Sequence, residues 1–305
     1  MIQHNNEERV LKNRLNDRFF KALFGVKGHE KYLISLLNSL FESYLKDRSI
    51  VISKLTFLNR EVDALKDDGK ACRMDILAQI DDGSIIDVEV QLLNINDEMT
   101  KRSLYYFGKL YTERLKSGES YHVLRPCIIV NLLNFNLFDD LDAYLTRYQM
   151  QELTYGKIYS DDADIFVVEL PKWKEWIKKQ NTQDIKNVNR FCRWLSYLTS
   201  SDPELVRRLA LHDRLIQEAL MIEKRYTMDD ERWYAYEMHE KYLHDQATLK
   251  ECGIREGLEK GIEIGTKNTL LQNIRGLLEN GISVEIIKKS LKCTDKDISK
   301  AKESV

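Results

Sequence analysis

Residues 73–93 read RMDILAQIDDGSIIDVEVQLL, and their alternation decides the fold. Polar and apolar residues alternate, a turn intervenes, and the alternation resumes, which is the period-two pattern of a half-buried β-hairpin. Asp81-Asp82-Gly83 suits a three-residue loop, a type I turn closed by a left-handed glycine. Ile80 then pairs with Ser84, which sets Asp75 opposite Glu89 and Arg73 opposite Gln91. Opposed residues share a face, with Cβ atoms about 5 Å apart. One face carries Met74, Ile76, Ala78, Ile80, Ile86, Val88, Val90 and Leu92 and reads as core. The other carries Arg73, Asp75, Gln79, Asp87, Glu89 and Gln91, with Leu77 as its apolar exception. Two carboxylates side by side repel each other unless a proton or a cation sits between them. A two-residue turn on Asp82-Gly83 would slip the register by one and send the acids to opposite faces.

Asp75 in one strand and Glu89-x-Gln91 in the next resemble the core of the PD-(D/E)xK nucleases. Two further blocks sharpen the likeness, DRFFKALFG at 17–25 and RSLYYFGKLYTERL at 102–115. Both resemble the Rpn branch, the recombination-promoting nucleases and transposase-like proteins. The likeness covers about 10–172, with a weaker echo in the Gly-spaced stretch at 253–265. It implies an α/β fold with a restriction-endonuclease-like αβββαβ core and an all-helical C-terminal region. It also implies Mg²⁺, or Mn²⁺ in its place, held by Asp75, Glu89 and the Val90 carbonyl, with Asp17 on the first helix in support. No small-molecule cofactor is implied. Gln91 stands where the family usually has Lys, and a neutral amide can orient water but cannot act as a base or as an ammonium. Lys21 or Arg73 would then supply the positive charge.

Composition sets the bounds. With 305 residues, 43% hydrophobic, the chain can build a sizeable core and more than one domain. A formal net charge of −2 gives no bulk signal for nucleic acid, so any such contact must be local. The five cysteines are scattered with no CxxC pair, the usage of a reducing compartment. The charged N-terminus carries no signal-peptide pattern, and no apolar run approaches the roughly 20 residues of a membrane span. A cytoplasmic, bacterial-type protein is expected.

Along the chain, 7–45 reads as helix, broken between Gly25 and Gly28, with Asp17 and Lys21 four apart on one face. Residues 50–61 read as a strand that makes a three-stranded meander with the hairpin. A helix is expected from Asp97, as its cap, to about Leu115, with Leu104, Phe107, Leu110 and Tyr111 inward and Lys101 and Arg102 free to meet phosphate. Residues 123–135 (VLRPCIIVNLLNF) form a near-continuous apolar run, as a central parallel strand does. Residues 153–159 and 164–170 are expected to extend the sheet, and Pro171 to close the domain. Lysines interleave with Trp173 and Trp176 at 172–179, which suits an amphipathic helix with its tryptophans buried better than a stacking platform for bases.

Everything after about 184 reads as helix. Gly253, Gly257, Gly261 and Gly265 recur every fourth residue, each costing about 1 kcal/mol against Ala in a helix. Close approach of a second helix, from a copy of the chain or a neighbour, would compensate. Residues 268–302 read as a small helical hairpin turning at Asn280-Gly281. The expected division is a nuclease-like domain at 1–172, a helical region at 173–266 and the hairpin at 267–305.

No P-loop, dinucleotide fingerprint or hydrolase elbow occurs. His239 and His244 lie five apart and diverge by about 140° around a helix, so they cannot share a zinc. Two functions fit. One is a Mg²⁺-dependent DNA endonuclease tied to recombination or mobile elements, for which an RNA backbone is also a compatible substrate. The other is a non-catalytic nuclease-fold protein that binds DNA or associates with itself.

Overall fold

The hairpin turn closes as the three-residue loop. Ile80 N–H donates to Ser84 O at 3.0 Å and Gly83 N–H to Ile80 O at 3.0 Å, with Gly83 at φ +88°. A side chain at 83 would be strained there, so the glycine fixes the register. Strand β4 (Ile76–Ile80) pairs antiparallel with β5 (Ile85–Gln91), Ile76 opposite Val88 and Leu77 opposite Asp87.

The computed structural model describes residues 9–45, 50–58, 61–62, 72–94, 98–113, 115–180 and 188–303, with backbone alone at 61–62 and 72–73. Two helices open the chain, α1 (Asp17–Phe24) and α2 (Glu30–Tyr44), separated at Gly25 to Gly28 as the sequence suggests. Strand β1 (Leu55–Phe57) pairs antiparallel with β4, while β2 (Glu61–Val62) pairs with β3 (Cys72–Arg73) in a small separate sheet. The expected strand at 50–61 is thus two short pieces. After the hairpin come α3 (Met99–Thr112), β6 (Cys127–Leu133), β7 (Leu145–Tyr148) and β8 (Ala163–Glu169). The six-stranded sheet runs β1-β4-β5-β6-β8-β7, with β5, β6 and β8 parallel. β6 is buried along its whole length, as its apolar run requires. The architecture is the expected α/β nuclease fold.

Four expectations are corrected. The hairpin is buried on both faces, not one, because α3 covers the side that carries Asp75, Asp87 and Glu89. Met74 packs there with Leu77, Ile85, Tyr106 and Leu110, since the backbone bends at Asp75 and interrupts the alternation. In α3 Leu110 is buried and Phe107 and Tyr111 pack partly buried against the core as expected, but Leu104 is 61% exposed, and Met99, Ser103 and Tyr106 are the other buried residues. Asp97, the expected cap, lies outside the described residues. Residues 153–159 are exposed and outside the sheet, and β7 takes the edge instead.

Helix α4 (Leu170–Lys179) starts on Pro171 in its first turn, a position where the missing N–H costs nothing, and it buries Trp173. Helices α5 (Arg190–Thr199), α6 (Pro203–His212) and α7 (Arg214–Met228) follow, within the stretch after 184 that reads as helix. Phe19, Phe20, Leu23 and Phe24 of α1 share one core with α2, α5 to α7 and the even-numbered face of the hairpin.

The chain divides into two compact units, Met1–Leu243 and His244–Val305. Helix α8 (Asp230–Glu279) is followed by α9 (Val284–Leu291) and α10 (Asp295–Glu303). In the second unit Ile274, Ile287, Cys293, Ile298 and Ala301 form a small core of their own. Among the described residues no helix is long and apolar enough to cross a membrane.

One buried ion pair secures the segment that leads into α1. Arg14 meets both Glu223 oxygens at 2.7 and 2.9 Å, Tyr197 donates to the same carboxylate at 2.9 Å, and Arg14 also donates to Ser200 O at 2.7 Å. Both charges are almost wholly buried. Arg14→Ala strands Glu223 without a counter-charge and is expected to cost about 3–5 kcal/mol. A urea titration checks this as a lower midpoint at unchanged slope.

Candidate active site

The β4–β5 ladder ends at Ile76 and Val88, and side chains carry the pairing one step further. Asp75 N–H donates to Glu89 Oε1 at 2.9 Å, and Val90 N–H donates to Asp75 Oδ2 at 2.9 Å. Each acid is held by main chain from the opposite strand, so their approach is set by the sheet and not by rotamer choice. Glu89 is fully buried and Asp75 is 8% exposed.

Two cations face the pair from two helices. Lys21 of α1 lies 2.9 Å from Asp75 Oδ1 and 2.6 Å from Asp17. Arg102 of α3 meets Glu89 Oε2 at 2.7 Å, donates to Gln91 Oε1 at 3.1 Å, and donates from Nε to the Tyr106 hydroxyl at 3.0 Å. Gln91 Nε2 stands 3.4 Å from Glu89 Oε2.

Asp87 completes the cluster on the same face. It is wholly buried, and neither of its oxygens has a hydrogen-bond partner among the described residues. Although Asp87 sits on the polar face of the hairpin, it is therefore not a carboxylate in water. Asp17, Asp75, Asp87 and Glu89 stand against Lys21 and Arg102, four carboxyls to two cations.

Burial dominates the electrostatics. Removal from water pushes the Glu89 carboxyl from 4.5 up to about 8, with the Asp75 charge adding and Arg102 opposing. Burial also raises Asp75, against the pull of Lys21, and raises Asp87 far above the ordinary carboxylate range, with Glu89 and Asp75 adding to the shift.

Among the described residues, no three His, Cys, Asp or Glu side chains gather into a ready-made metal cage. Mg²⁺ does not need one, since it keeps several waters and is commonly held by one or two carboxylates. Two converging carboxyl groups with hard oxygen donors, and the orphaned buried carboxyl of Asp87 beside them, fit a divalent cation.

The sequence places Asp75, Glu89, Gln91, Lys21 and Asp17 together, and so does the structure. Arg102 is also here, clamped on Glu89 with its side chain partly open to solvent. Lys101 is exposed on α3. The side chain of Arg73 lies outside the described residues. Sequence reasoning missed the burial of Asp87 and the Arg102–Tyr106 pair, which the i,i+4 spacing on one helix signals.

A sequence model of the PD-(D/E)XK nuclease family transposases matches residues 14–253. The chain belongs to that family. No curated protein and no solved structure matches it. The matched span contains every residue of the acid cluster.

The raised Glu89 carboxyl ties stability to pH. Its protonated form is favoured by the fold, so its contribution is full below about 4.5 and is lost as pH rises through about 8. The metal-free protein is expected to lose stability over that window, and Glu89→Gln to flatten the slope. Thermal melts in chelator from pH 5 to 9 measure both.

Proposed function

We propose that the chain is a divalent-metal-dependent DNA endonuclease of the cytoplasm, acting in DNA recombination or on mobile elements. The observation that carries the reading is the buried Asp75–Glu89 pair, fixed by main-chain hydrogen bonds at the strand break. Nothing in a structural role asks for two like charges to be held together in a core.

Asp75 and Glu89 would hold Mg²⁺ or Mn²⁺, with the Val90 carbonyl as a third protein ligand. When bound, such an ion lowers the pKa of a water and offsets charge on the phosphate. The remaining tasks belong to the protein. Lys21 bridges Asp17 and Asp75 and keeps α1 against the site. The Gln91 amide is placed to orient a water beside Glu89. Lys101, exposed on α3, meets the DNA backbone as a solvated cation.

A second reading draws on the same contacts. Both metal-binding acids already carry a cationic partner, Lys21 on Asp75 and Arg102 on Glu89. A protein that binds DNA without cutting it could keep this arrangement permanently. Supercoiled plasmid with Mg²⁺ separates the two. Nicking by the wild type is expected, with a loss of about 10²-fold or more in Asp75→Ala and Glu89→Ala, since a catalytic metal contributes several kcal/mol. Equal binding without cleavage in all three supports the second reading.

Self-association through α8 is the other part of the proposal. At 100° per residue, the half of the helix surface from 253 to 265 centred near Gly261 carries only glycine, isoleucine and leucine. Arg255, Glu256, Glu259, Lys260 and Glu263 fill the rest. Ile254, Leu258, Ile262 and Ile264 are each about 60% exposed, and nothing lies within 4 Å of a Cβ built on any of the four glycines. A second copy laid on this face would bury the apolar residues and use the close approach the glycines allow. Light scattering is expected to find an oligomer that Leu258→Lys reduces to monomer.

A further inference from the structure

A nuclease site with Gln91 at the usual lysine position lacks a cation where negative charge builds on the phosphate. Two described cations touch the acid pair, and they are not equivalent. Lys21 is shared between two carboxylates, and its side chain is 19% exposed. Arg102 touches one carboxylate, and its side chain is 35% exposed, while Glu89 beneath it is fully buried. The guanidinium therefore forms the open edge of the site, between the buried acid and solvent.

We infer that Arg102 is the catalytic cation of this site, contacting the scissile phosphate, and that Gln91 is the residue that positions it. The inference rests on the endonuclease reading.

Three contacts fix the guanidinium: Nη2 on Glu89, Nη1 on Gln91 and Nε on Tyr106, whose ring centroid also lies 5.1 Å below it. They use three of its five N–H donors and leave one hydrogen on each Nη. Each of these two can donate a charge-assisted hydrogen bond to a phosphate oxygen. The charge stays on Arg102 throughout, because a guanidinium does not deprotonate in proteins. It stabilises by hydrogen bonding, with no proton or electron transferred. Glu89 would share its carboxylate between Arg102 and any divalent cation it held, so Arg102 would compete with that ion for the same oxygen.

The neutral amide at 91 follows from this arrangement. Gln91 offers Arg102 an acceptor, which an ammonium at that position could not do, and a lysine there would repel the guanidinium. Arg102 brings from α3 the organic cation that a lysine at 91 would bring from the strand.

Single-turnover cleavage of plasmid and Mn²⁺ affinity by electron paramagnetic resonance test this together. Arg102→Gln is expected to lose about 10²-fold or more in cleavage rate while binding Mn²⁺ as tightly or tighter, because a competing charge is gone. Arg102→Lys is expected to fold as wild type, bind Mn²⁺ and lose about tenfold, and it carries the test if Arg102→Gln does not fold. Gln91→Lys with Arg102→Gln returns the cation to the strand and is expected to recover at least tenfold over Arg102→Gln alone. Cleavage by Arg102→Gln within about threefold of wild type overturns the inference. So does parallel loss of Mn²⁺ binding and cleavage, or a double variant no better than the single one. An inert wild type overturns the endonuclease reading and this inference with it, whereas an active wild type with an active Arg102→Gln overturns this one alone.

Discussion

The structure depends on two buried carboxylates held together at the point where a β-ladder stops. Ionised carboxylates lose hydration on burial and repel at close range, and both effects oppose the fold. The chain answers with main-chain donors from the opposite strand, Asp75 N–H to Glu89 and Val90 N–H to Asp75, and with one cation from each flanking helix. Helix α1 delivers Lys21 and helix α3 delivers Arg102. The two helices must therefore pack on the sheet correctly before the acids can be buried.

That requirement reaches back into the rest of the first unit. The position of α1 is fixed by Phe19, Phe20, Leu23 and Phe24 in the main core and by the Arg14–Glu223–Tyr197 network just before it. The position of α3 is fixed by Met99, Tyr106 and Leu110 against the opposite face. Asn131 sits beside Glu89 on the parallel strand and donates to Ser103 of α3 at 3.1 Å, a polar tie under the same helix. The ordinary packing of aromatic and aliphatic residues supports an arrangement of charges that is unfavourable in itself. Asp87, with no partner for either oxygen, shows that the balance is incomplete within the described residues.

Much of this was legible in the amino-acid order. The Gly83 turn fixes the register, the register brings Asp75 to Glu89, and the unbroken apolar run at 127–133 announces a strand covered on both sides. The helical stretch after 184 follows from its amphipathic residues, and in the structure Asn189, Asp202 and Asp213 each accept a main-chain N–H at a helix start. What escaped was burial imposed from outside the segment. Asp87 and Glu89 lie on what alternation marks as a polar face, and only the arrival of α3 makes that face interior. Met74 changed sides because a bend at Asp75 broke the period of two. The clamp of Arg102 on Glu89 and Gln91 has no signal in the order of α3, because both partners are on another element.

Helix α8 presents the opposite situation, a stretch whose stability is not explained within one chain. Its glycines at 253, 257, 261 and 265 each weaken the helix by about 1 kcal/mol, and nothing among the described residues occupies the space that their missing side chains leave. The neighbouring isoleucines and leucines stay largely in water, where their burial would contribute about 25 cal/mol per Å² of apolar surface covered. Glycines and exposed apolar residues on the same half of a helix are costs that one event, contact with a second helix, would remove together. The acid cluster and α8 thus share a logic. Each keeps an unfavourable local arrangement that the proposed partner would relieve, a divalent cation in one case and another helix in the other.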